Sequence, residues 1–199
     1  MTIERIQKLN PQIPIHSLYD YQKKYGYVLD YELVDLVEYV NKNLYVRGSK
    51  FDCHYDISEL HEFKIVKTIQ KEIFANAPIR FGTITGFNEN VYALYKTLKN
   101  EVYVAFTDCL FIVEKEGQFI GLYLHKGQIL EFLAGTVHSL PVMVTLNGYC
   151  VGLLTLDNKK AKESFEMLRV VNDGSFLHQN FLESVIQLEE KIHIRCVNR

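Results

Sequence analysis

A chain of 199 residues fits one domain and is long enough to bury a substantial core. Apolar residues make up 48% and charged residues 23%, an ordinary globular balance with no run long enough to cross a bilayer. The formal charge of −2 argues against nucleic acid as a partner, since phosphate neutralisation needs a concentrated basic face.

Residues 1–30 read as short irregular elements, because Asn10-Pro11 and Ile13-Pro14 oppose regular helix. Ser17 could cap a short helix ending near Gly26, and five tyrosines from Tyr19 to Tyr31 suit a wrap, a flap or a dimer surface. Met1 to His16 lacks the apolar core of a signal peptide, so cytoplasm is the expected location and no membrane partner is expected. Leu33, Leu36, Val37 and Val40 fall at helical spacing, which predicts a helix over 31–41. Arg47-Gly48-Ser49-Lys50 reads as a loop, and Asp56 with Glu59 as a helix start. A second helix is predicted over about 62–74 with Val66, Ile69 and Ile73 buried, stopped by Pro78.

From Ile79 the period changes to two. Eight strands are predicted: 79–87, 91–98, 101–107, 109–114, 119–125, 128–133, 140–146 and 149–156. Short Gly/Asn turns separate them, and Asn147-Gly148 is the strongest hairpin signal. Such strands predict a β-barrel or sandwich, not a parallel α/β sheet. Helices are expected again over 157–168, and from Ser175 to about Glu190 with Leu177, Phe181, Val185 and Leu188 aligned. The chain thus divides into a mostly helical N-terminal wrap (1–78), a β core (79–156) and a helical tail (157–199). Four widely spaced cysteines show no metal or redox spacing, and Cys109 and Cys150 read as small buried hydrophobes.

Gly127, Gly135 and His138 sit at the spacings of the second cupin motif, G-x5-P-x-G-x2-H-x3-N, with Leu133 for its proline and Val142 for its asparagine. Tyr95 to Glu101 has the spacing of the first motif, with Tyr95 and Thr97 in place of two histidines and Glu101 in place of the carboxylate. The chain resembles the cupin superfamily. More closely, Leu9-Asn10-Pro11, Lys24-Tyr25-Gly26, Ile69-Gln70 and Glu101-Val102 with Thr107-Asp108 are similar to an uncharacterised family of bacterial cupin-like proteins. In that family's pattern a His falls at the Thr97 position and an acidic residue at Tyr95, and this chain departs at both. The resemblance implies a mainly β jelly-roll barrel and a homodimer. It also implies a divalent metal held by imidazoles and carboxylate, of which only Glu101 and His138 are present here, so either a weakly held metal or none is expected.

Alternation places Glu101, Tyr103, Ala105 and Thr107 on one face and Val102, Val104 and Phe106 on the other. If the first face looks inward, Glu101 and His138 are the catalytic pair, and Tyr95, Thr97 and Tyr103 line a ligand site. A carboxylate beside an imidazole suits proton transfer next to a carbonyl, as isomerases and epimerases of carbohydrate metabolism require. His125 and Glu131 read as rim or surface residues, Lys96 as pointing away from the cavity, and His54 and His61 as part of a solvated loop. Three functions compete: a small-molecule enzyme acting on a carbohydrate-type ligand, a non-catalytic binding barrel that has lost its metal site, and a structural protein whose barrel Tyr and Phe fill.

Overall fold

The computed structural model describes residues 2–18, 26–29, 52–55, 58–155 and 182–196. The expected helix over 31–41, the 47–50 loop, the Asp56 cap, the turn of helix beyond Ser17 and the 157–168 helix lie outside these residues.

The N-terminus is more regular than expected. Helix α1 (Ile3–Leu9) forms because Thr2 caps it, its Oγ1 accepting the Arg5 N–H at 3.3 Å, and because Ile6 is fully buried. It ends where Asn10-Pro11 predicts. Strands β1 (Ile15–Ser17), β2 (Gly26–Leu29) and β3 (Asp52–Tyr55) follow. Helix α2 (Lys64–Glu72) buries Ile65, Val66 and Ile69, close to the predicted stripe. It stops before Pro78, where Ala75 and Asn76 turn left-handed (φ 47° and 61°) and the Asn76 N–H reaches back to the Gln70 carbonyl.

The β region then runs β4 (Ile79–Asn88), β5 (Asn90–Thr97), β6 (Glu101–Ala105), β7 (Cys109–Lys115), β8 (Gln118–Leu124), β9 (Ile129–Phe132), β10 (Val137–His138), β11 (Val142–Thr155) and β12 (Leu182–His193). Pairing arranges them as two layers. One carries β12-β5-β10-β7-β8-β1, and the other β3-β4-β11-β6-β9-β2. Strand β11 joins them: Val142 and Met143 pair with β7, and Gly148–Thr155 lies between β4 and β6. All these contacts are antiparallel except β1 with β8.

Side-chain parity sorts the core. Tyr103, Ala105, Phe111, Val113, Leu130 and Phe132 meet between the layers. The alternate residues of β7 and β8, Leu110, Ile112 and Tyr123, face the other way, under α1 and the C-terminal Ile194 and Cys196. Strand β7 is therefore buried on both faces. Cys109 is fully buried, as its sequence context predicts, and burial pushes the Cys196 thiol up to about 12.

Two predicted elements are wrong. Asn147-Gly148 is no hairpin: β11 runs straight through it, and Gly148 does not adopt the positive φ that a type I′ turn needs. From Met143↔Asn88 to Gly148↔Gly86 the pairing advances five residues on β11 against two on β4, which makes a bulge. Glycine is needed there for close approach, since a Cβ on Gly148 would stand 2.5 Å from Met143 Cβ. The tail is not helical over 182–190 either. It is the β12 strand, paired with β5 through Val185↔Tyr95 and Gln187↔Ala93. The edge of β5 supplies a ladder that the helical spacing of Val185 and Leu188 cannot match. The remainder of the predicted 175–190 helix lies outside the described residues.

Buried polar groups tie the two ends of the chain together. The fully buried Asn10 donates from Nδ2 to the Ile6 and Arg195 carbonyls (2.9 and 3.0 Å), and its Oδ1 accepts the Arg195 N–H at 2.7 Å. Glu89 Oε1 accepts the Cys196 N–H at 3.0 Å. No helix among the described residues is long and apolar enough to cross a membrane.

Candidate functional site

Glu101 opens β6 in one layer, and His138 closes β10 in the other. Their side chains meet across the core, His138 Nε2 standing 2.6 Å from Glu101 Oε2. The pair is 1% and 4% exposed. The inward placement of the Glu101 face follows from register: Glu101 lies opposite Phe132 and Tyr103 opposite Leu130, all core residues. Tyr103 donates its hydroxyl to Glu101 Oε1 at 3.4 Å.

The turn before His138 explains its aim. Gly135 adopts φ +84°, its N–H donating to the Thr97 carbonyl, and Gly127 opens the preceding strand at φ +86°. His138 then pairs with Tyr95 on β5 and Val113 on β7. Its Nδ1 lies 3.0 Å from the Ser139 carbonyl, which can only accept, so Nδ1 carries a proton. Ser139 is itself pinned: its Oγ accepts the Ile112 N–H at 2.9 Å and donates to the Leu140 carbonyl at 2.6 Å. With Nδ1 turned to the Ser139 carbonyl, Nε2 is the ring nitrogen that faces Oε2, and neither of these two atoms has a hydrogen-bond partner elsewhere among the described residues.

Aromatic rings wall the pair. Phe132 stacks flat on His138, centroids 4.1 Å apart and planes within 5°. The rings of Tyr103 and Phe111 stand edge-on at 6.0 and 6.4 Å. A ring face favours a positive imidazolium.

The other expected site residues divide. Tyr95 is buried on the inner face beside His138. Thr97 is buried too, but its hydroxyl donates to the Lys99 carbonyl at 3.0 Å and holds the β5–β6 turn. Glu131 is not a surface residue. It is 7% exposed, on the opposite face of its layer from Glu101, and its Oε1 accepts the Asn100 amide at 2.6 Å. His125 is exposed, as expected. Ser139 and Phe132 went unrecognised in the sequence. Ser139 directly follows the motif histidine, which was the available signal, and Phe132 needed the β6–β9 register.

Burial raises the Glu131 carboxyl above its ordinary range, the Asn100 amide offsetting part of this. A raised carboxyl weakens the fold as pH climbs: the unfolded chain releases its proton first, and the penalty is complete once the folded group ionises. Glu131→Gln keeps an acceptor for Asn100 and should therefore stabilise the protein above the carboxylate range. Melting at pH 5 and pH 8 checks this, with the gain larger at pH 8 by roughly 1–3 °C; an equal effect at both pH values refutes it.

The pair alone makes a poor metal site. Two ligands of one ion, each about 2.0–2.2 Å from it, stand about 3 Å apart even at a right angle. The 2.6 Å contact leaves no such room, and no group of three or more His, Cys, Asp or Glu side chains converges among the described residues.

A family model described as "Domain of unknown function (DUF4867)" matches residues 15–167. No curated protein matches the chain. Among solved structures it is similar to a cupin superfamily protein from Desulfitobacterium hafniense DCB-2, at 10% identity over 57% of this chain and 84% of that one, with a TM-score of 0.36. Oxalate decarboxylase from Bacillus subtilis aligns at 8% identity over 71% and 38% of the two chains, TM-score 0.37. Vicilin from Capsicum annuum aligns at 12% over 56% and 29%, TM-score 0.37. The chain spans less than half the length of the decarboxylase and the vicilin. The fold described here rests on its own strand pairing.

Proposed function

Because this chain belongs to the family described only as a domain of unknown function, we propose its function from its own residues. It takes a small polar ligand of carbohydrate type between its two β layers, where Glu101 and His138 act as an acid/base couple that this pair needs no metal to operate. The observation that carries the reading is the buried 2.6 Å approach of His138 Nε2 to Glu101 Oε2, two atoms that make no hydrogen bond to any other group among the described residues. Such a pair is a poor way to stabilise a core, because apolar residues of similar volume do so at least as well. Its placement beside Tyr103 and Tyr95 supports chemistry.

The step it suits is a 1,2-proton shift. The Glu101 carboxylate takes the proton from the carbon next to a carbonyl, and the His138 imidazolium gives its Nε2 proton to the carbonyl oxygen. In the enediol so formed, neutral His138 takes the proton of the neighbouring hydroxyl and Glu101 returns its proton to the former carbonyl carbon, which gives the isomer and restores both residues. Ser139 keeps the Nδ1 proton in place, so that Nε2 alone exchanges. Association of two copies belongs to the same reading, with β12 at the end of the described strand order.

A second reading has its own observation. Phe111, Phe132 and Tyr103 pack closely enough around the pair to make it a sealed structural element. Incubation with free and phosphorylated aldoses and ketoses in D2O separates the two. The proposal expects deuterium at the carbon beside the carbonyl, reduced at least about a hundredfold in Glu101→Gln. No incorporation from any sugar, with no thermal shift either, leaves the filled-barrel reading in its place.

A further inference from the structure

A second concave site lies on the outer face of the β12–β5–β7–β8 layer, away from Glu101 and His138. It is a groove of about 950 Å³ between the turn after α1 and the end of β12. That volume is at the upper end for small-molecule sites. Pro11, Pro14, Phe119 and Ile192 give it an apolar wall.

Its charged residues are of one sign. Lys191, His193 and Arg195 lie at alternate positions at the end of β12 and beyond, so they share one face, and all three are exposed. Gln12 and Gln118 add amide donors, and among the described residues no Asp or Glu lines the groove. This clustering occurs in a chain whose net charge is −2. His193 Nδ1 is 3.1 Å from Asn90 Oδ1, which can only accept, so Nδ1 donates there and Nε2 can bond an anion only when the ring is the imidazolium.

The walls are built before any ligand arrives. Gln7 fixes the turn from within: its Nε2 donates to the Asn10 and Ile13 carbonyls at 3.1 and 3.0 Å, and its Oε1 accepts the Ile15 N–H at 2.6 Å. The Pro14 carbonyl accepts the Gly121 N–H at 2.8 Å. Asn10 and Glu89 anchor the backbone that carries Arg195. A rigid, preorganised groove loses little entropy on binding.

We infer that this groove binds a small amphipathic organic anion, with its carboxylate or phosphate on Lys191, His193 and Arg195 and its apolar body against Pro11, Pro14 and Phe119. Charge complementarity selects the anion, and the proline–phenylalanine wall selects against a bare inorganic ion. The inference is independent of any chemistry at Glu101 and His138.

Titration of 15N-labelled full-length protein with phenyl phosphate, inorganic phosphate and phenol tests it. Phenyl phosphate should saturably shift the amides of residues 9, 10, 12, 13, 118–119 and 191–195, binding more tightly than either fragment. The double variant Lys191→Gln/Arg195→Gln changes only exposed side chains and should weaken binding about tenfold, a loss of about 1.4 kcal/mol. Glu101→Gln should leave it unchanged. The inference is overturned by no saturable shift up to ~10 mM, a range reaching well past millimolar affinity. It is equally overturned by equal affinity for inorganic phosphate, or by undiminished binding in the double variant.

Discussion

His138→Ala and Glu101→Ala should each destabilise the protein by about 3–5 kcal/mol, while the double variant Glu101→Met/His138→Leu should unfold within about 1 kcal/mol of wild type. Either single change strands one polar group among Phe132, Phe111 and Tyr103, at a site 1–4% exposed. In the double variant no charge is stranded, and the methylenes fill the same volume between the layers. For a chain of this length each kcal/mol moves the melting temperature by about 2–4 °C, so the singles should drop by roughly 6–20 °C. Urea unfolding of all four proteins measures these losses. If the double variant loses as much as either single, replacing the pair by apolar residues is not neutral, the pair is a stabilising element and the argument for its chemistry fails. If the double variant is stable and inactive, stability and function separate at these two residues.

Asn10→Ala should cost about 2–4 kcal/mol, an effect out of proportion to one side chain removed from a loop. Asn10 is fully buried, and its amide satisfies both the N–H and the carbonyl of Arg195 as well as the Ile6 carbonyl. Alanine removes both side-chain partners of Arg195, while the Ile6 carbonyl keeps only the backbone N–H of residue 10. The damage should be local first. Amide exchange should rise at residues 194–196 and in the turn after α1, and less at β7, which is packed on both faces. Asn10→Asp keeps the acceptor for Arg195 but loses both donated bonds and buries a charge, so it should be no better than alanine. A loss below about 0.5 kcal/mol in Asn10→Ala would show that the C-terminal segment is held by Ile194 and Cys196 packing instead.

Much of the β region could be read from local sequence. Each predicted strand from Ile79 to Leu133 lies within two residues of an observed one, because alternation of apolar residues is a local property that every layer of a sandwich must satisfy. The glycines at 127 and 135 and the inward aim of His138 were legible for a similar reason, since positive φ at a turn is a one-residue requirement. Parity put Glu101 and Tyr103 on one face with Ala105, but this strand is buried on both faces, so the pairing register and not parity set which face meets the other layer.

What the sequence could not determine depended on a partner far along the chain. Asn147-Gly148 has the composition of a tight turn, yet β4 and β6 flank it and hold it extended within β11. Residues 182–190 carry helical spacing, yet the open edge of β5 makes them a strand. Glu131 looked like a rim residue until the β6–β9 register placed it opposite Val102, on a buried face. The contact of Glu101 with His138 belongs to neither motif. It arises because β6 and β10 lie in different layers, and only the packing of those layers brings the carboxylate within 2.6 Å of the imidazole. Local chemistry thus determined which side chains share a face, and long-range pairing decided which of them meet.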